Sequence, residues 1–141
     1  MGKKPKRLGH LPPLHKFFLN PHSDARFTRC PKCDRPTKLR KRPLMIFIEL
    51  KQPVTLNKTC RFCPNCDLLI AHKDEIVSLL EPLCSKYFPD LASDDFLVVG
   101  TVERKMWKEG VSSTQEIFEG LHDFKQHLEF EPARYMWVKE E

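Results

Sequence analysis

Two short segments carry the clearest chemistry in the chain: Cys30-Pro-Lys-Cys33-Asp34 and Cys63-Pro-Asn-Cys66-Asp67. A C-x-x-C turn aims two sulfurs and several backbone amides at one point. Two such turns supply four thiolates, the tetrahedral set that zinc favours in closed structural sites. Twenty-nine residues separate Cys33 from Cys63. That is enough for a β-hairpin that folds back and brings the turns together. The spacing predicts one structural Zn2+ on Cys30, Cys33, Cys63 and Cys66.

Two other residues compete for the site. Cys60-Arg-Phe-Cys63 is also a C-x-x-C, and His72 is a possible replacement ligand. Pro64 repeats the pattern of the first turn, which favours Cys63 and Cys66. Cys60 then becomes a small buried thiol on the strand entering the turn, and Cys84 a core residue on a helix. Disulfides suit a secreted chain, and no secretory signal is visible. An iron–sulfur cluster also takes four cysteines. A thioredoxin-like role needs one reactive C-x-x-C in a βαβ setting. Four thiolates around Zn2+ keep a net negative charge. Lys32, Lys38, Arg40, Lys58 and Arg61 lie close in sequence and would offset it.

Residues 27–72, with these four cysteines and a β-rich insert, resemble the zinc-ribbon class of metal-binding modules. Ribbons often carry Gly after the second cysteine of a turn, where this chain has Asp34 and Asp67. The stretch Asn57-Lys-Thr-Cys-Arg-Phe-Cys-Pro-Asn-Cys-Asp-Leu-Leu-Ile-Ala-His72, with Gly100-Thr-Val-Glu-Arg104, is similar to an uncharacterised bacterial zinc-ribbon family. That resemblance implies no assigned activity.

The elements that must position the cysteines follow from periodicity. Residues 44–50 are rich in β-formers and bounded by Pro43 and Pro53. Leu44, Ile46, Ile48 and Leu50 share one face. A turn is expected at Gln52-Pro53, a returning segment over residues 54–58, and a third strand over residues 67–71. Residues 37–42 form a further, exposed strand. A helix is expected over residues 73–88, from Ile76, Leu80, Leu83, Cys84 and Tyr87 at helical steps. Asp74 and Glu75 suit its first turn. Pro82 should kink or split it. Residues 96–102 read as a buried strand. Ser113 and Glu116 fit a capping box, and Ile117, Leu121, Phe124 and Leu128 a helical stripe after it. Residues 134–138 read as a last strand. The expected fold is α+β: a basic extended arm (1–26), a zinc ribbon (27–72) and an α+β part packed with it (73–141).

Charge divides the chain. Residues 1–42 hold 13 Lys/Arg and two acids, whereas the remainder holds 11 Lys/Arg and 17 acids. A basic front of this kind suits a polyanion. Lys3, Lys4, Lys6 and Arg7 form one cluster; Lys38, Arg40, Lys41 and Arg42 form a second beside the first cysteine turn. Phe17, Phe18, Phe27 and Phe62 are available for stacking on bases. Solvated surface charge is the plainer alternative.

These features predict a non-enzymatic structural-zinc protein that binds nucleic acid, RNA included, or a ribonucleoprotein. The alternative is a protein–protein adaptor, with Trp107, Trp137 and Phe17-Phe18-Leu19 as anchors. Glu103, Arg104, His122, Asp123 and His127 are the polar groups open to an enzyme, but no H-E-x-x-H, phosphate loop or nucleophile elbow joins them. No stretch reaches the ~20 apolar residues of a membrane span. Gly2 lacks the Ser or Thr that myristoylation wants at position 6. A soluble, cytoplasmic chain with no membrane partner is expected.

Overall fold

The computed structural model describes residues 9–22, 24–103 and 119–130. Among them are seven strands and one long helix: β1 (Lys16–Asn20), β2 (Lys38–Ile48), β3 (Gln52–Cys63), β4 (Leu68–His72), α1 (Lys73–Tyr87), β5 (Phe96–Val102), β6 (Leu121–Asp123) and β7 (Gln126–Leu128). All seven strands join one sheet in the order β6-β5-β2-β3-β4-β1-β7. β1 runs parallel to β4 and β7; the other neighbours are antiparallel. The architecture is β-rich α+β, and the sheet draws strands from the front, middle and rear of the chain.

β6 and β7 occupy opposite edges of the strand order, yet only Phe124 and Lys125 separate them. The Phe124 amide donates to the Val99 carbonyl at 2.9 Å, and the Lys125 amide to the His15 carbonyl at 2.7 Å. One continuous segment therefore covers both edges, and the sheet curls round on itself. Closing the sheet satisfies edge groups that would otherwise need water or a partner chain. Gly100 is required here, because a Cβ would run into the His122 carbonyl of β6.

This closure overturns the helix expected to run as far as Leu128. Leu121 and Phe124 do turn inward, but from extended chain. Leu121 packs with Met45, Val99 and Val102, and Phe124 stacks on Phe17 with ring centroids 4.3 Å apart. The two sheet edges needed backbone partners, and that demand outweighed a three-and-four spacing. Residues 113–118 and 134–138 lie outside the described residues, as do Trp107 and Trp137.

The extended arm also needs correction. Residues 16–20 of it form β1, which lies between β4 and β7. Phe17 and Phe18 are buried on opposite faces, so this triplet docks on the chain's own body.

The central hairpin behaves as its alternation demands. Leu44, Ile46 and Ile48 are fully buried on one face, against Cys60, Phe62, Val98 and α1. Residues 38–43 continue the same 11-residue strand through Pro43. Among the described residues β5 pairs with β2 only from Leu44 onward, so Pro43 sits just outside that pairing. The turn falls at residues 49–51, and Leu50 leaves the core face. Glu49 and Leu50 both take left-handed backbone there, at φ 52° and 57°. Gln52 and Pro53 already belong to β3.

α1 buries Ile76, Leu80 and Cys84 on the core and leaves Tyr87 exposed. It runs through Pro82 unsplit. No described helix is long and apolar enough to cross a membrane.

Candidate metal centre

The hairpin of β2 and β3 brings the cysteine turns together. One turn precedes β2; the other joins β3 to β4. The Sγ atoms of Cys30, Cys33, Cys63 and Cys66 all lie within 4.8 Å of one another. Cys30 Sγ stands 3.9 Å from Cys66 Sγ, and Cys33 Sγ 3.6 Å from Cys63 Sγ. A tetrahedron with metal–sulfur bonds of about 2.3 Å has edges of about 3.8 Å. Bonded sulfurs would sit at about 2.05 Å, so these are free thiols placed for one ion.

Local backbone shapes each turn. In the first, the Asp34 amide donates to the Cys30 carbonyl at 2.8 Å, and the Lys32 amide points at Cys30 Sγ at 3.3 Å. The Cys30 amide closes the loop on the Arg35 carbonyl at 2.7 Å. Asp34 and Asp67 both adopt left-handed backbone, at φ 66° and 57°. These are the positions where ribbons often use glycine. Short polar Asp tolerates this region better than most residues. The turns rest on an apolar pad of Phe18, Leu68 and Ile70, flanked by Phe27 and Phe130.

The thiols are electrostatically uneven. A backbone hydrogen bond at Arg35 is the main influence drawing Cys33 down to about 6. Burial, then the neighbouring cysteines, pushes Cys66 up to about 12 and also raises Cys63. Four thiolates this close repel one another without a cation, and a thiophilic divalent ion removes the conflict. The donor set fits such an ion.

Cys60 lies elsewhere. It joins Phe62 in the core beneath α1, while Cys63 faces the metal pad. Burial pushes its thiol up to about 12, the behaviour of an inert core cysteine. Cys84 is buried on the inner face of α1, and burial raises it. His72 is not in the four-sulfur group.

The groups that brace the second turn were not visible in the sequence. Asp67 accepts from His15 Nδ1 at 2.7 Å and from Lys125 Nζ at 3.1 Å. Burial alone would raise the Asp67 carboxyl, but these two partners outweigh it and hold it below the usual range. Lys16 Nζ donates to the Cys66 carbonyl at 3.1 Å, and its amide to the Asp67 carbonyl at 2.8 Å. Three of the five nearby cations expected to offset the thiolates have other contacts. Lys58 pairs with Glu75 at 2.6 Å, Arg61 reaches the Thr37 carbonyl, and Arg40 lies over the Phe62 ring. Lys32 approaches sulfur through its amide.

Of the residues assigned to nucleic acid, Lys38, Arg40 and Lys41 are exposed on β2 and Arg42 is half-buried. Lys3, Lys4, Lys6 and Arg7 lie outside the described residues. Phe17, Phe18 and Phe62 are buried and offer no stacking surface. His122 and His127 stand on separate strands, and each meets a backbone carbonyl, of Pro12 and Val98.

Comparison of the chain with protein-family models, curated proteins and solved structures gives no match.

Proposed function

We propose that the four cysteines hold one structural zinc ion in a zinc-ribbon-like site, and that the chain binds nucleic acid beside it. A closed four-cysteine shell leaves no open coordination position, which suits a scaffold rather than a catalyst. The observation that carries the binding reading is the front half of β2. Lys38, Arg40 and Lys41 are exposed there, close in sequence to the first cysteine turn. Among the described residues β5 does not pair along this half, which presents a basic row. Such a row neutralises phosphates and releases their counterions. Residues 1–8 would add Lys3, Lys4, Lys6 and Arg7 to the same polyanion contact.

A protein-adaptor role has less support. β1 buries Phe17 and Phe18, which removes them as anchors for a partner. The test is a salt titration of RNA and DNA binding, with a phosphate-free polyanion as control. Lys38→Gln, Arg40→Gln and Lys41→Gln together should flatten the log–log slope, each lost phosphate contact by about 0.7–0.9. An intact protein that ignores both nucleic acids at low salt removes this reading.

A further inference from the structure

A cavity of about 380 Å³ opens beside the start of α1. Leu39, Arg61 and Ile70, neighbours across β2, β3 and β4, form part of its wall. Its charged and ring-bearing polar groups are Arg26, Lys58, Arg61, His72 and Glu75, with Asn20, Thr28 and Thr59 beside them. Three cations thus face one carboxylate, and that carboxylate is already shared. Glu75 Oε1 accepts from Lys58 Nζ at 2.6 Å, and Oε2 from Arg26 at 3.1 Å. Arg61 has the Thr37 carbonyl at 3.4 Å and no carboxylate among the described residues. Both ring nitrogens of His72 are shielded from solvent and lack a hydrogen-bond partner among the described residues. Polar groups left this way are uncommon and point to a missing partner.

We propose that this cavity seats the phosphoryl group of a phosphomonoester, either a small ester of nucleotide size or the terminal phosphate of a nucleic-acid strand. The volume falls at the small end of the roughly 300–1,000 Å³ range of ligand pockets. The excess positive charge opposes that of a phosphomonoester dianion. The planar guanidinium of Arg61 matches phosphate oxygens, and Lys58 supplies a compact charge. Leu39 and Ile70 supply an apolar wall for the organic part, and the His72 ring backs the cavity with its nitrogens turned out of solvent. Lys38, Arg40, Lys41 and Arg42 are not needed, so this site stands or falls apart from the nucleic-acid face.

The experiment is calorimetric titration of the full-length protein with adenosine 5′-monophosphate, adenosine, inorganic phosphate, and one oligonucleotide with and without a 5′-phosphate. The monophosphate should bind at least tenfold tighter than adenosine. Arg61→Gln should weaken it about tenfold. Leu39→Glu, at an exposed wall position, places a carboxylate at the mouth without touching the core and should weaken binding at least as much. A preference for the phosphorylated oligonucleotide identifies a strand end; the monophosphate binding without that preference identifies a small ester. No binding by any phosphate compound, equal binding of adenosine and its monophosphate, or indifference to both Arg61→Gln and Leu39→Glu would overturn the proposal.

Discussion

His15 Nδ1 lies 2.7 Å from Asp67 Oδ1, joining the residue before β1 to the residue after Cys66. The His15 carbonyl accepts from the Lys125 amide, and Lys125 Nζ returns to Asp67 Oδ2 at 3.1 Å. Three distant parts of the sequence thus meet behind the second cysteine turn. The closure of the sheet and the shape of that turn depend on the same residues.

The two left-handed aspartates should therefore respond differently to substitution. Asp67→Ala loses two hydrogen bonds, that from His15 worth about 1.5–3 kcal/mol and that from the half-exposed Lys125 about 0–1 kcal/mol, and strains the left-handed backbone by about 1 kcal/mol more. Asp67→Gly relieves the strain but still loses the bonds. Among the described residues the Asp34 carboxylate meets only the exposed Arg29 at 3.3 Å, a class worth about 0–1 kcal/mol. Asp34→Gly should be neutral or stabilising in urea denaturation. If Asp34→Gly matched Asp67→Ala, the brace would have no special role.

Cysteine substitutions should separate the centre from the core. Cys63→Ser should lose metal and destabilise the fold, because metal binding contributes folding free energy. Cys60→Ser and Cys84→Ser should keep full metal content while losing packing. Metal stoichiometry of purified variants reads this out. Loss of metal from Cys60→Ser, with retention in Cys66→Ser, would reassign the second turn.

The cysteine turns were legible because ligand spacing is a local signal. The alternation of Leu44, Ile46 and Ile48, and the period of Ile76, Leu80 and Cys84, were legible because each element buries one face. β1 was not: five residues among prolines show no period, and their partners are β4 and β7. β6 and β7 were misread because Leu121, Phe124 and Leu128 imitate a helical stripe. Only the need to close both sheet edges explains them. Nothing local marks His15 or Lys125 as a brace, since their partner is Asp67.

Truncation should distinguish the basic front from the strand that follows it. Removing residues 1–8 deletes Lys3, Lys4, Lys6 and Arg7 and leaves every described strand whole. That variant should fold, keep its metal and show a shallower salt dependence of polyanion binding. Removing residues 1–20 also deletes β1 and should unfold the sheet. A folded, metal-loaded product from the longer truncation, judged by circular dichroism, would contradict the topology.

The ion pair joining Lys58 of β3 to Glu75 in the first turn of α1 should show in acid. A hydrogen bond from Lys58 is the main cause holding Glu75 below its ordinary value of 4.5. A carboxyl lowered by folding adds stability above its unfolded pKa, and loses it as pH falls through the folded one. Glu75→Gln should destabilise by about 1–2 kcal/mol at neutral pH, short of a fully buried pair because Glu75 is 45% exposed. The gap to wild type should narrow below about pH 4.5. A gap that stayed constant from pH 7 to pH 3 would rule out this linkage.

The most direct measurement is the metal content of protein purified without added metal. About one equivalent of zinc per chain is expected, as a closed four-cysteine site implies, with no acid-labile sulfide. Chelation should release it together with loss of the native fold around Cys30, Cys33, Cys63 and Cys66. Iron with sulfide, or a fully folded chain without metal, would contradict a structural zinc centre.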